Sequence, residues 1–117
     1  MLLRIDVGST EPLFAQIASA IRSAVLDGQL VAGERLPAAK EVAASLEVNL
    51  HTVLRAYQDL RDEGLVDLRR GRGAVITEAA VSGAAVLESV RALVAEARSA
   101  GIGPQTLITL IREEYPA

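Results

Sequence analysis

Apolar side chains recur along most of this chain at spacings of three and four residues. Phe14, Ile17, Ala18, Ile21 and Val25 share one face of a helix that the spacing predicts from Thr10, its cap, to about Asp27. Pro12 falls in the first turn and Gly28 provides the stop. A second, shorter helix is predicted over 38–46, with Val42, Ala43 and Leu46 inward. Only Glu47 and Val48 separate it from Asn49, a strong N-cap residue type. A third helix then runs to about Glu63, with Val53, Tyr57 and Leu60 inward and Gly64 as its end.

The period changes after Gly64. Leu65–Arg69 and Ala74–Thr77 are strand-like runs flanking Arg70-Gly71-Arg72-Gly73, which predicts a hairpin. Residues 3–7 alternate and predict a short extended arm. Residues 78–83 are small and polar enough for a linker. Helical spacing returns with Leu87, Val90, Val94 and Ala97, breaks at Gly101–Pro104, and resumes with Leu107, Ile108, Ile111 and Tyr115. No internal repeat or low-complexity tract is present.

Helix, helix–turn–helix, then a two-stranded hairpin is the order of a winged helix-turn-helix. The expected fold class is therefore mainly α: three helices plus a two-stranded β-hairpin, followed by a two-helix C-terminal tail. The expected boundaries are 1–77 for a DNA-binding domain, 78–83 for the linker and 84–117 for a helical dimerisation tail.

Composition narrows the function. The 117 residues include no Cys and one His, which argues against a zinc site and against Cys–His chemistry. No catalytic pair is apparent and no Gly-rich phosphate motif follows a strand, so no enzyme, cofactor or metal is expected. The lack of Cys fits a reducing cytoplasm, and neither a signal peptide nor a membrane span is expected. With 3% aromatic residues the chain offers little for a deep pocket, and no small-molecule effector is read from it.

A net charge of −3 is unusual for a nucleic-acid binder, but its distribution matters more. Residues 1–33 carry −1, residues 34–77 are neutral, and residues 78–117 carry −2. Within the neutral part, Arg69, Arg70 and Arg72 cluster at the hairpin turn. That predicts a local phosphate-binding tip with modest non-specific affinity.

The polar face of the third helix holds His51, Arg55, Gln58 and Asp62. His51 and Arg55 are expected in the major groove, with Asn49 and Thr52 at the helix mouth. Arg suits a guanine edge and Asn an adenine edge.

Several separated motifs then resemble one family. Pro12-Leu13-Phe14-Ala15-Gln16-Ile17, Gly28–Pro37, Glu63-Gly64-Leu65-Val66 and Gly71-Arg72-Gly73 are similar to the DNA-binding domain of GntR-family transcription regulators. Asn49, Thr52, Val53 and Arg55-Ala56-Tyr57 resemble its YtrA-type subgroup, which has a short helical tail. The resemblance spans about residues 3–77 and implies a homodimer that binds an inverted repeat in double-stranded DNA, usually as a repressor. It implies contacts from Lys40, where relatives commonly carry Arg, and from Arg70, Gly71 and Arg72 in the wing. Leu50 and Leu54 stand where many relatives place Arg. For Leu50 the alternatives are burial and contact with a thymine methyl.

The tail carries more apolar surface than two short helices bury alone, so Leu87, Val90, Val94, Leu107, Ile108 and Ile111 are expected at a dimer interface. The alternative function is a winged-helix protein–protein docking module without DNA binding.

Overall fold

The computed structural model describes residues 3–81 and 83–116. It contains α1 (Leu13–Leu26), α2 (Ala39–Leu46), α3 (Leu50–Asp62), β1 (Val66–Arg69), β2 (Gly73–Ile76), α4 (Glu78–Val81), α5 (Ala84–Ser99) and α6 (Pro104–Glu114). The chain divides into two compact units, one up to Ala84 and one from Ala85 onward. The mainly α fold with a winged helix-turn-helix is as expected.

In the first unit α1, α2 and α3 enclose one core. Ile17, Ile21, Val53 and Leu60 are fully buried, and Val42, Ala43 and Tyr57 nearly so. These are the inward positions given by helical spacing. Leu46 is only half-buried at the end of α2. Leu50 is half-buried against the same core.

The start of α1 differs from expectation. Thr10 does not cap it; the N-cap position is Pro12, whose ψ of 146° is extended. The Ser9 hydroxyl accepts from the Glu11 N–H at 3.1 Å and holds a turn ahead of the helix. Gln16 fixes this entry. Its Oε1 accepts from Asp6 N–H at 2.7 Å, and its Nε2 donates to the Asp6 and Glu11 carbonyls at 3.0 and 2.9 Å. Residues 3–7 form no strand. Leu3 and Ile5 lie against the core instead, so the alternation reports one buried side rather than pairing.

Between α2 and α3, Glu47 takes φ 56° and lets Val48 N–H reach the Ala43 carbonyl at 3.0 Å. It is the one non-glycine residue with positive φ among those described. Asn49 caps α3, its side chain accepting from His51 N–H at 2.8 Å. The Tyr57 hydroxyl donates to the Pro37 carbonyl at 2.6 Å, tying α3 to the loop before α2. Burial, with the nearby Glu41 carboxylate as a smaller cause, pushes the Tyr57 phenol up to about 12.

Strands β1 and β2 pair antiparallel, with Val66 opposite Ile76 and Arg69 opposite Gly73. Val66, Ala74 and Ile76 face the core. Residues 33–36 lie beside β2. Gly33 N–H donates to Ile76 O, Ile76 N–H to Glu34 O and Leu36 N–H to Ala74 O, at 2.8, 2.9 and 2.8 Å.

The expected linker 78–83 contains a helical turn, α4, whose Ala80 is fully buried and which packs on α1. Thr77 Oγ1 holds its start, accepting from Ala80 N–H at 3.3 Å and donating to Gly64 O at 2.7 Å. The short side chains that suggested a linker are what allow this close packing.

In the second unit α5 and α6 are joined by residues 100–103, and Ile102 N–H donates to Ala97 O at 2.9 Å. Among the described residues of this unit Ala97 is buried, and α6 has no buried residue.

Candidate nucleic-acid interface

The hairpin tip is a tight turn in which Arg72 N–H donates to Arg69 O at 3.0 Å. Gly71 sits inside it with φ 80°, a conformation that a side chain at this position would strain. Residues 67–73 are all exposed. Arg69 is neutralised by Asp67, two residues earlier on the same strand face, at 3.2 Å. The effective cationic tip is therefore Arg70 and Arg72, smaller than three adjacent arginines suggest.

His51, Arg55 and Gln58 are exposed on α3, and Thr52 is half-buried. Arg55 does not project freely. Its guanidinium carbon lies 3.7 Å from the centre of the Phe14 ring on α1. The ring covers one face of the guanidinium and leaves its edge N–H groups outward. Asn49 uses its side-chain oxygen on the helix cap, so its amide N–H groups are the part left for another partner.

Lys40 is exposed in the first turn of α2. Ala38 at the N-cap of that helix supplies no side-chain hydrogen bond. Pro37, Leu54, Tyr57 and Gln58 share one cleft of about 410 Å³ with Leu68 and Arg70 of the hairpin. Thus α3 and the wing both line a single concave surface, and half-buried Leu54 is part of that lining.

Arg22 and Glu63 close the opposite end of α3. Arg22 Nε donates to Glu63 Oε1 at 2.7 Å, and this bond chiefly raises the arginine above its usual value.

One residue escaped the sequence reading. Arg35, upstream of the helix-turn-helix, faces Val75 across an isolated bridge and so stands beside the wing. Its loop position gave no periodic signal, and a strand partner 40 positions away is invisible to local pattern.

In the second unit Val90, Val94, Ile108 and Ile111 are about 40% exposed, and Leu87 and Leu107 are half-buried. Leu93 and Leu110 are similarly exposed. No described helix is long and apolar enough to cross a membrane.

Residues 13–76 match the model of the bacterial regulatory proteins of the gntR family. The chain is 32% identical to the HTH-type transcriptional repressor YtrA of Bacillus subtilis, over 96% of this chain and 91% of that one. It is similar to the solved structure of YtrA from Sulfolobus acidocaldarius, a GntR-family transcription factor. The TM-score there is 0.64, with 33% identity over 80% of this chain and 99% of the other. The DNA-binding domain of AraR in complex with operator ORR3 superposes with TM-score 0.56 and 26% identity, over 66% of this chain and 95% of that one.

Proposed function

This chain belongs to the GntR family of bacterial regulatory proteins, and we propose that it is a sequence-specific DNA-binding transcription repressor that acts as a homodimer on an inverted-repeat operator. The observation that carries this reading is the shared cleft in which Gln58 and Leu54 of α3 face Leu68 and Arg70 of the wing. A rod and a basic finger that flank one concavity match a major groove and the adjacent backbone.

His51 and Arg55 meet base edges, and Asn49 and Thr52 approach at the helix mouth. Lys40, Arg70 and Arg72 take phosphates, while Gly71 lets the backbone come close. Residues 1–77 are the DNA-binding part, 78–83 the connection and 84–117 the dimerisation tail. Leu87, Val90, Val94, Leu107, Ile108 and Ile111 meet their copies across a two-fold axis. Pairing doubles the contacts of a module that buries only roughly 600–1,000 Å² on DNA by itself. The site of action is the cytoplasm.

Titration with duplex DNA at two salt concentrations tests the reading. Affinity that falls steeply as salt rises supports it. Absent binding, or binding indifferent to salt, would favour a protein-docking module.

A further inference from the structure

Several arginines of the chain are engaged by carboxylates: Arg22 by Glu63, Arg61 by Asp62, Arg69 by Asp67 and Arg91 by Glu88. Among the described residues Arg35 and Arg72 have no such pairing, although they come from segments 37 positions apart in sequence. Three backbone hydrogen bonds hold residues 33–36 beside β2, with an isolated bridge between Arg35 and Val75. In that segment Leu36 is buried to 2% exposure, whereas Arg35 stands in solvent.

Arg35, Pro37, Glu41, Gly71 and Arg72 line one open hollow of about 570 Å³. A Cβ built on Gly71 or Gly73 meets no atom within 4 Å, so the backbone there is uncovered. Arg35 and Arg72 bring two guanidinium groups and Glu41 one carboxylate, so the lining keeps a net positive charge, and neither arginine is ion-paired to a carboxylate. Two like charges beside one concavity are relieved by an anion placed between them. The planar donor fork of arginine matches a phosphate with two parallel hydrogen bonds.

We propose that Arg35 and Arg72 clamp a single DNA backbone phosphate in the hollow between the hairpin turn and the start of α2, making the 33–36 segment part of the DNA-binding surface. The clamp rests on the DNA-binding reading above and adds to it a residue and a ligand group. It supplies affinity and registers the wing on the duplex without reading a base.

The test uses the full chain and a duplex selected from a random pool, with R35Q, R72Q, the double variant, R35K, and R112Q as a control. R35Q and R72Q each make the plot of log affinity against log salt shallower by about 0.9 per bound protomer, and base preferences stay unchanged. The double variant falls short of the sum, because both groups serve one phosphate. R35K restores most of the slope, and R112Q matches wild type. The melting temperature of R35Q is unchanged, since residues 33–36 are held by backbone bonds. R35Q behaving as wild type while R72Q flattens the slope would overturn the clamp and leave DNA binding standing. Strict additivity, or loss of preference at one base pair in R35Q, would overturn it too. Wild type that selects no duplex would remove the DNA reading and the clamp together.

Discussion

Arg55 on α3 stacks on Phe14 of α1, with 3.7 Å between the guanidinium carbon and the ring centre. This contact aims the side chain rather than leaving it to sample solvent, because the ring fixes the guanidinium plane. Arg55→Ala is expected to weaken binding to the preferred duplex by about 1–3 kcal/mol and to relax preference at one base pair. Phe14→Leu keeps the charge and loses the stack, so it should blunt that same preference by about 0.5–1 kcal/mol. Competition titrations with single-base-pair variants check both. Equal weakening on every duplex would make Arg55 a backbone contact.

Tyr57→Phe removes the donor to the Pro37 carbonyl. The expected loss is about 1 kcal/mol in denaturant unfolding, with the fold retained. The pH dependence has a definite sign. Burial raises the folded-state phenol to about 12 from an ordinary value of 10.0. Its contribution to stability is therefore whole below pH 10 and is lost as pH rises toward 12. Tyr57→Phe should abolish that share of the alkaline loss. An identical alkaline profile in both proteins would contradict the assignment.

Glu47 holds φ 56° between α2 and α3. An L side chain is costly there, whereas glycine is not. Glu47→Gly should stabilise the protein by roughly 0.5–1 kcal/mol by thermal melting, even though glycine frees the unfolded chain. A loss of stability would show that Glu47 makes a favourable contribution larger than its backbone strain.

Val94→Glu and Ile111→Glu place charge on tail surface that is 40% and 39% exposed in the isolated chain. Each should convert the dimer to monomers in sedimentation and weaken operator binding, with little change in helix content. A variant that still sediments as a dimer would place the interface elsewhere.

The helices were legible because Ile17, Ile21, Val53 and Leu60 obey a period of 3.6, and their burial follows from it. The hairpin was legible from two glycines between strand-like runs, and Gly71 does carry the positive φ that such a turn requires. What failed depended on partners distant in sequence or on competing local bonds. Thr10 lost the cap of α1 to Pro12, ahead of which Ser9 and Gln16 organise a turn. Arg69 counted toward a basic cluster, but Asp67 is within reach only once the strand places both on one face. Helical angle puts Arg55 on the polar face, and nothing in that angle shows Phe14 beneath it. Arg35 joined the wing through a bridge that no local pattern encodes.

The most direct measurement is selection of bound duplexes from a random pool by this 117-residue chain. The account predicts enrichment of one consensus with two-fold symmetry, its half-sites centred about one helical turn, roughly 34 Å, apart. An asymmetric consensus, or a pool that does not enrich, would contradict it.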